Sequence, residues 1–183
     1  HPFCMVQELD ESFDCALFVG YHARAGAGGN PLSHTLSSSK VHRIFINDRP
    51  ASEFYIHYLA VGLVKVPVVM LSGDETICQE VKDTDSNIRT VAVKDANGPS
   101  TINMHPNDAV QLLRTTSEKA VADASSIDPA TIPDHSTLKI IFKEQTLAYY
   151  KSHYPGAELL EPYTVEFSSD SYYEILRALM FLI

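Results

Sequence analysis

Hydrophobic positions along the chain fall into short continuous or alternating runs that are separated by longer, helix-like stretches. Continuous apolar runs that end in glycine are typical of buried strands. Runs that alternate apolar and polar residues are typical of half-exposed strands. In the first two thirds of the chain, runs of these two kinds predict strands at residues 14–21, 40–48, 66–73 and 88–94.

Helices are predicted between these strands. Ser52 is suited to cap a helix over 53–65, and the few polar positions in that stretch predict burial on most sides. A short helix is expected over 74–83 and a long one over 105–124, where Val110, Leu113, Ala120 and Val121 lie near one stripe.

The pattern changes after a polar, proline-containing stretch at 125–136. Beyond it, a strand at 137–143, a helix at 144–154, a strand at 163–169 and a helix at 171–183 form a predicted βαβα unit. Alternating strands and helices predict an α/β fold. We expect a Rossmann-like three-layer sheet in residues 1–124 and a smaller α+β lobe in residues 125–183.

Charge and cysteine content narrow the functional classes. The chain has 183 residues and a formal charge of −9, which disfavours nucleic-acid binding through a basic face and a polybasic membrane contact. The three cysteines show no C-x-x-C spacing, so we expect neither a disulfide framework nor a zinc knuckle. Small buried thiols in a reducing compartment predict a cytoplasmic protein.

Two histidines, His22 and His34, flank a glycine-rich loop that follows the first predicted strand. The loop matches neither nucleotide-binding template, because it lacks G-K-[ST] and continues into Asn30-Pro31 instead of a helix. Ligands collect at the carboxyl ends of strands in open α/β sheets. Each histidine taken alone is also compatible with an ordinary solvated or hydrogen-bonded side chain, so the spacing leaves both interpretations open.

Glu53 has two interpretations as well. A carboxylate in a first helical turn is favoured by the helix dipole and needs no function. Alternatively, it points into the same cleft as His22 and binds metal, or pairs with His57 at i, i+4. The remaining acidic candidates are interpreted as caps and solvated turns: Asp74, Glu75, Asp83 and Asp85.

Four segments in order carry a resemblance to a known family. They are G-Y-H-A at 20–23, H-T at 34–35, N-x-x-x-x-S-E at 47–53 and V-P-V-V-x-x-S-G-D at 66–74. Together they resemble the zinc-dependent D-aminopeptidases, most densely between Phe13 and Lys94.

The resemblance implies an α/β metallopeptidase that binds two zinc ions and cleaves short peptides with an N-terminal D-amino acid. His22 and Glu53 would be zinc ligands, and His34 would be the catalytic histidine. The family also implies a homo-oligomer, because its members form rings that enclose their active sites.

This chain departs from the family in one respect. The family's D-x-E-G segment and the histidine of its N-D-S-H-G-like segment have no counterpart here, since Asn47-Asp48 continues into Arg49-Pro50. The residues therefore resemble the C-terminal two thirds of the family. Two ligands are fewer than a zinc site requires, so we expect an N-terminal segment or a partner chain to supply the others.

The motifs and their spacing leave two functional classes. The favoured one is the metal-dependent aminopeptidase, whose activity would depend on ligands from outside this chain. The alternative is a non-catalytic α/β binding or regulatory module that retains the scaffold. A serine hydrolase lacks the G-x-S-x-G elbow, and a cysteine hydrolase lacks a placed nucleophile, because Cys15 falls in a predicted buried strand.

Overall fold

The computed structural model describes residues 1–183 and consists of two β-sheets and five α-helices. The strands are β1 (Ala16–Tyr21), β2 (Val41–Ile46), β3 (Arg49–Pro50), β4 (Val68–Asp74), β5 (Arg89–Asn97), β6 (Ser100–Asn103), β7 (Ser136–Phe142), β8 (Ala157–Glu161) and β9 (Thr164–Ser169). The helices are α1 (Glu53–Leu63), α2 (Glu75–Thr84), α3 (Pro106–Ala122), α4 (Gln145–Lys151) and α5 (Tyr172–Leu182).

The first sheet has the strand order β1-β4-β5-β6, in which β1, β4 and β5 are parallel. Helices α1 and α2 cover one face, where Phe54 and Ile77 pack against Leu71. Helix α3 covers the other face, where Ala120 joins Met70. This three-layer arrangement confirms the predicted α/β class, and it buries β4 along its whole length.

The second sheet is antiparallel, with the order β3-β2-β7-β9-β8. It takes β2 and β3 from the first part of the chain and its other strands from residues 136–169. The two predicted regions therefore share one sheet, in which Ile44 of β2 pairs with Ile140 of β7. The division of the chain into domains at residue 125 stays a prediction.

Helix α1 lies between the two sheets. Its Ile56 and Leu59 belong to the core of the second sheet, whereas Phe54 and Val61 belong to the core of the first. Both sides of the helix are therefore covered, which confirms the predicted burial on most sides. This packing holds the N-terminus of α1 between the two sheets.

Several expectations about individual elements were wrong. β1 is a sheet edge and only partly buried, with Val19 66% exposed. Along α3 only Ala120 is buried, whereas Val110 and Val121 face solvent. The C-terminal unit contains an additional strand, β8, that was not predicted, and β3 and β6 were also missed.

The remaining observations concern the burial of the three cysteines and the length and apolar character of the helices. Cys78 is buried as predicted, but Cys4 is exposed and Cys15 lies just before β1 in a half-buried position. All three thiols are free. None of the helices has the length and apolar character needed to cross a membrane.

Candidate metal centre

Three side chains converge at the carboxyl end of β1: His22, His34 and Glu53. One potential ligand atom from each lies within 4.8 Å of the others. The Nε2 atoms of His22 and His34 lie 3.9 Å and 3.6 Å from Oε1 of Glu53. The structure thus brings together all three residues that the sequence singled out, although they come from separate positions in the chain.

His22 is placed by the irregular end of β1. Gly20 adopts a positive φ of 79°, and the pairing of β1 with β4 shifts register between Phe18 and Tyr21. The Nδ1 atom of His22 lies 3.1 Å from the carbonyl oxygen of Ala23. Because a carbonyl oxygen only accepts, Nδ1 carries the proton of the neutral ring and Nε2 keeps its lone pair on the side of Glu53.

His34 is oriented in the same way. Its Nδ1 donates to the carbonyl oxygen of Leu32 at 2.8 Å, which leaves the Nε2 lone pair directed toward Glu53. The ring is about one third exposed, so it can exchange protons with solvent or with a bound molecule.

Glu53 is the first residue of α1, directly after the N-cap. The Ser52 hydroxyl accepts from the backbone N–H of Tyr55, which starts the helix at this point. The backbone N–H of Leu36 donates to Oε1 of Glu53 at 2.8 Å. The carboxylate is therefore held by the loop that carries His34 as well as by its own helix.

The loop between the two histidines is tied to the fold by Asp74. This fully buried carboxylate accepts hydrogen bonds from the backbone N–H of Ala23 at 2.7 Å and from the Asn30 side chain at 2.8 Å. It also caps α2 by accepting from the N–H of Ile77. Asp74 was expected to be a cap in a solvated turn; the cap is confirmed, but the solvation was wrong.

A second tie lies next to His34. The buried Thr35 hydroxyl accepts from the N–H of Ala25 and donates to the carbonyl oxygen of Ala51, each at 3.0 Å. Sequence reasoning missed both Asp74 and Thr35 as supports of the loop. An acidic residue directly after a predicted buried strand was the one available signal for Asp74.

His57 is not part of the cluster. Its ring is 1% exposed, and its Nδ1 donates to the backbone carbonyl oxygen of Glu53 at 2.7 Å. Burial lowers the pKa of His57, partly offset by that hydrogen bond and the nearby Glu53 carboxylate. The alternative in which His57 shares a metal with Glu53 is therefore disfavoured, since the ring is engaged with the helix backbone.

Behind the N-terminus of α1 lies a second carboxylate, Glu80. The Ser52 hydroxyl donates to it at 2.6 Å, and Nε of Arg24 lies 3.9 Å away. Burial raises the pKa of Glu80, and the Ser52 hydrogen bond and the two nearby arginines only partly offset this effect. Glu80 therefore contacts Ser52, the residue directly before Glu53.

An α/β fold with two imidazoles and a carboxylate at the end of a parallel strand defines a candidate metal-binding protein of the α/β class. The sequence model of the D-aminopeptidase family matches residues 1–181. The chain belongs to the D-aminopeptidase family, as the four segments indicated.

Two comparisons with individual proteins agree with this assignment. The D-aminopeptidase of Bacillus subtilis (strain 168) is 34% identical over 181 residues, covering 98% of this chain and 65% of the relative. The solved structure of the Zn-dependent D-aminopeptidase DppA from Bacillus subtilis, described as a self-compartmentalizing protease, superposes with a TM-score of 0.91 at 32% identity. That match covers 99% of this chain and 66% of DppA, so the chain spans about two thirds of the length of these relatives.

Proposed function

We propose that this chain supplies His22, His34 and Glu53 to the active site of a zinc-dependent aminopeptidase. The substrates would be short peptides with an N-terminal D-amino acid, as the names of the relatives suggest. The convergence of the three side chains within 4.8 Å is the observation that carries the proposal.

The donor set fits zinc. Zinc in proteins is bound by histidine nitrogens and carboxylate oxygens, and both imidazoles here present an Nε2 whose proton is absent in the tautomer that their hydrogen bonds select. His22 and Glu53 would hold the metal. A complete site would hold two zinc ions. When bound, these ions polarise the peptide carbonyl and make water a nucleophile at neutral pH.

His34 would carry protons during the reaction. Its Nε2 accepts a proton in the neutral ring, and the carboxylate of Glu53 at 3.6 Å stabilises the imidazolium that results. The hydrogen bond from Nδ1 to Leu32 fixes the ring in the orientation that this transfer requires. A histidine in this position can take a proton from a water molecule and return it to the leaving amine.

The remaining ligands would come from outside these residues. Two ligands fall short of a complete zinc site, and about a third of each relative's length lies outside its match with this chain. An N-terminal segment or a partner chain would supply them. We further propose a homo-oligomer, in line with the self-compartmentalizing DppA; the exposed Val110, Leu112 and Val121 on α3 offer apolar surface for such contacts.

Zinc binding and peptide hydrolysis together test the proposal. The purified protein is analysed for intact mass and zinc content, and then assayed with D-alanyl-D-alanine and its L,L isomer. His22→Ala is the test variant, and His42→Ala, which removes an exposed histidine from β2, is the matched control. We expect zinc in the wild type and in His42→Ala, and loss of zinc in His22→Ala.

Two outcomes would contradict the proposal. Equal zinc content in His22→Ala and His42→Ala would exclude the cluster as the metal site. Absence of zinc and of hydrolysis in the wild type, at saturating zinc, would favour the non-catalytic binding or regulatory module.

A further inference from the structure

We propose that Glu80 is a positioning residue for the metal centre, because it fixes, through the hydroxyl of Ser52, the orientation in which the Glu53 carboxylate meets the two histidines. This role deepens the proposed function and rests on the assignment of Glu53 as a zinc ligand. A chain of hydrogen bonds that joins helix α2 to the first turn of α1 carries the proposal.

The Ser52 hydroxyl lies at the centre of this chain of hydrogen bonds. Ser52 is fully buried, and its Oγ accepts a hydrogen bond from the backbone N–H of Tyr55 at 3.1 Å and donates one to Oε1 of Glu80 at 2.6 Å. A serine hydroxyl has a single proton, so the bond to Glu80 fixes the direction of that proton and turns a lone pair toward Tyr55. Truncation of Glu80 would leave the buried proton without the acceptor that it has in this structure.

The orientation of this hydroxyl affects Glu53 through the first turn of α1. Glu53 directly follows Ser52 and is the first residue of the helix. Its side chain is largely buried, and its Oε1 accepts from the backbone N–H of Leu36 at 2.8 Å. A cap that rotates would loosen the first turn and move the carboxylate relative to that N–H. The Glu53 carboxylate is therefore held by Leu36 on one side and, through Ser52, by Glu80 on the other.

The Glu80 carboxylate is itself oriented by Arg24. Its Oε2 lies 3.9 Å from Nε of Arg24, which leaves Oε1 for the Ser52 hydroxyl. Arg24 follows His22 by two residues, so Glu80 lies between the segment that carries His22 and the helix that carries Glu53. Burying a carboxylate costs free energy that burying an apolar side chain would not cost. A buried charge that joins the two parts of a metal centre is therefore suited to hold them in register.

The backbone at Glu80 is tied to α1 by a second set of contacts. The Thr84 hydroxyl donates to the carbonyl oxygen of Glu80 at 2.6 Å and accepts a hydrogen bond from Nη2 of Arg49. The guanidinium carbon of Arg49 lies 4.0 Å from the centroid of the Tyr55 ring. Because these contacts do not use the Glu80 carboxylate, α2 should stay in place when that side chain is truncated.

Residue-resolved hydrogen exchange tests the positioning role, on the protein as purified and again after treatment with EDTA. The amide of Leu36 reports the Glu53 carboxylate, and the amide of Tyr55 reports the helix cap. In Glu80→Ala both amides should exchange at least about tenfold faster than in the wild type. A merely structural role would instead accelerate core amides such as that of Met70, in the buried strand β4, and leave the two reporter amides unchanged.

Two further variants show whether Glu80 acts through Ser52. Ser52→Ala should accelerate exchange at Leu36 as Glu80→Ala does. Once Ser52 is absent, Glu80 has no route to Glu53, so the double variant should exchange within about twofold of Ser52→Ala alone. Asp83→Ala is the matched control, because it removes an exposed carboxylate from the same helix, and it should change the exchange at Leu36 by less than about twofold. Circular dichroism verifies that all variants fold.

Zinc titration provides a second measurement. Glu80→Ala should bind zinc at least about fivefold more weakly than the wild type, whereas Asp83→Ala should bind it with unchanged affinity. The positioning role would be overturned by unchanged exchange at Leu36 in Glu80→Ala, by additive effects of Ser52→Ala and Glu80→Ala, or by equal effects of Glu80→Ala and Asp83→Ala. A wild type that binds no zinc but shows the expected exchange pattern would contradict the proposed function alone, because the exchange measurements need no metal.

Discussion

The imidazole rings of His22 and His34 stack on each other, with centroids 4.3 Å apart and planes inclined by 24°. This stacking places both Nε2 atoms on the same oxygen of Glu53. With Nδ1 of each ring donating to a backbone carbonyl oxygen, the two Nε2 lone pairs face the same space and can bind one metal ion. The arrangement depends on the loop between the histidines, which is held by Asp74 and Thr35.

Replacing the Glu53 carboxylate should weaken zinc binding. In Glu53→Gln the amide is nearly isosteric but uncharged, so we expect zinc affinity to fall at least about tenfold, measured by competition with a chromophoric chelator. Glu75→Gln is the control, because Glu75 is the first residue of α2 as Glu53 is of α1. An equal loss in both variants would show that a helix-terminal charge, and not a metal ligand, was removed.

The two histidines should respond differently to truncation. His22→Ala removes a ligand and should reduce zinc affinity at least about tenfold. His34→Ala should leave zinc affinity nearly unchanged but lower kcat for a D-alanyl peptide by about a hundredfold or more, because it removes the proton carrier. Zinc titration and steady-state kinetics on the same preparations distinguish the roles. A comparable loss of zinc affinity in both variants would make His34 a ligand instead.

Truncation of Asp74 should destabilise the fold strongly. Asp74→Ala leaves the N–H groups of Ala23 and Ile77 and the Asn30 amide without their buried acceptor. We expect the free energy of unfolding, measured in urea, to fall by about 3 kcal/mol. Asp83→Ala, at an exposed position of α2, should change it by less than about 0.5 kcal/mol. A loss below about 1 kcal/mol in Asp74→Ala would refute this role.

Two neighbouring glycines in the loop should differ sharply. Gly29 has a φ of +91°, and a Cβ there would lie 1.8 Å from the Thr76 hydroxyl oxygen; at Gly28 a Cβ would meet no atom within 4 Å. Gly29→Ala should therefore displace the loop and lower both the melting temperature and the zinc affinity. Gly28→Ala should leave both unchanged or slightly improved. Identical behaviour of the two variants would mean that the loop conformation does not matter for the site.

The buried His57 should make stability depend on pH. Burial lowers its pKa, so the unfolded chain binds this proton more readily than the folded chain. The contribution to stability is present at neutral pH and is lost as the pH falls below the ordinary value of 6.5. The difference in unfolding free energy between the wild type and His57→Gln should therefore become smaller from about pH 7.5 to about pH 5.

Urea titrations of both proteins across this range measure that difference, in which the other histidines cancel. A difference that stays constant with pH would show that His57 does not contribute in this way. A difference that grows toward low pH would require a pKa raised by the fold, opposite to the expected direction.

The local pattern of apolar and polar residues was sufficient to predict many of the strands and helices. The apolar run around Met70 predicted β4, and Ser52 followed by apolar residues predicted α1, because hydrogen bonding and side-chain period act over a few neighbouring residues. The order of the short motifs was sufficient to select His22, His34 and Glu53 and to identify the family. These inferences needed no knowledge of which elements touch.

The tertiary structure decided whatever depends on contacts between distant residues. Val19, Val110 and Val121 are exposed despite their apolar character, because no other element of these residues covers β1 or the outer face of α3. Asp74 is buried because the loop from β1 folds over the start of α2 and supplies its hydrogen-bond donors. The sequence specifies each side chain, but only the packing of the folded chain determines which other residues surround it.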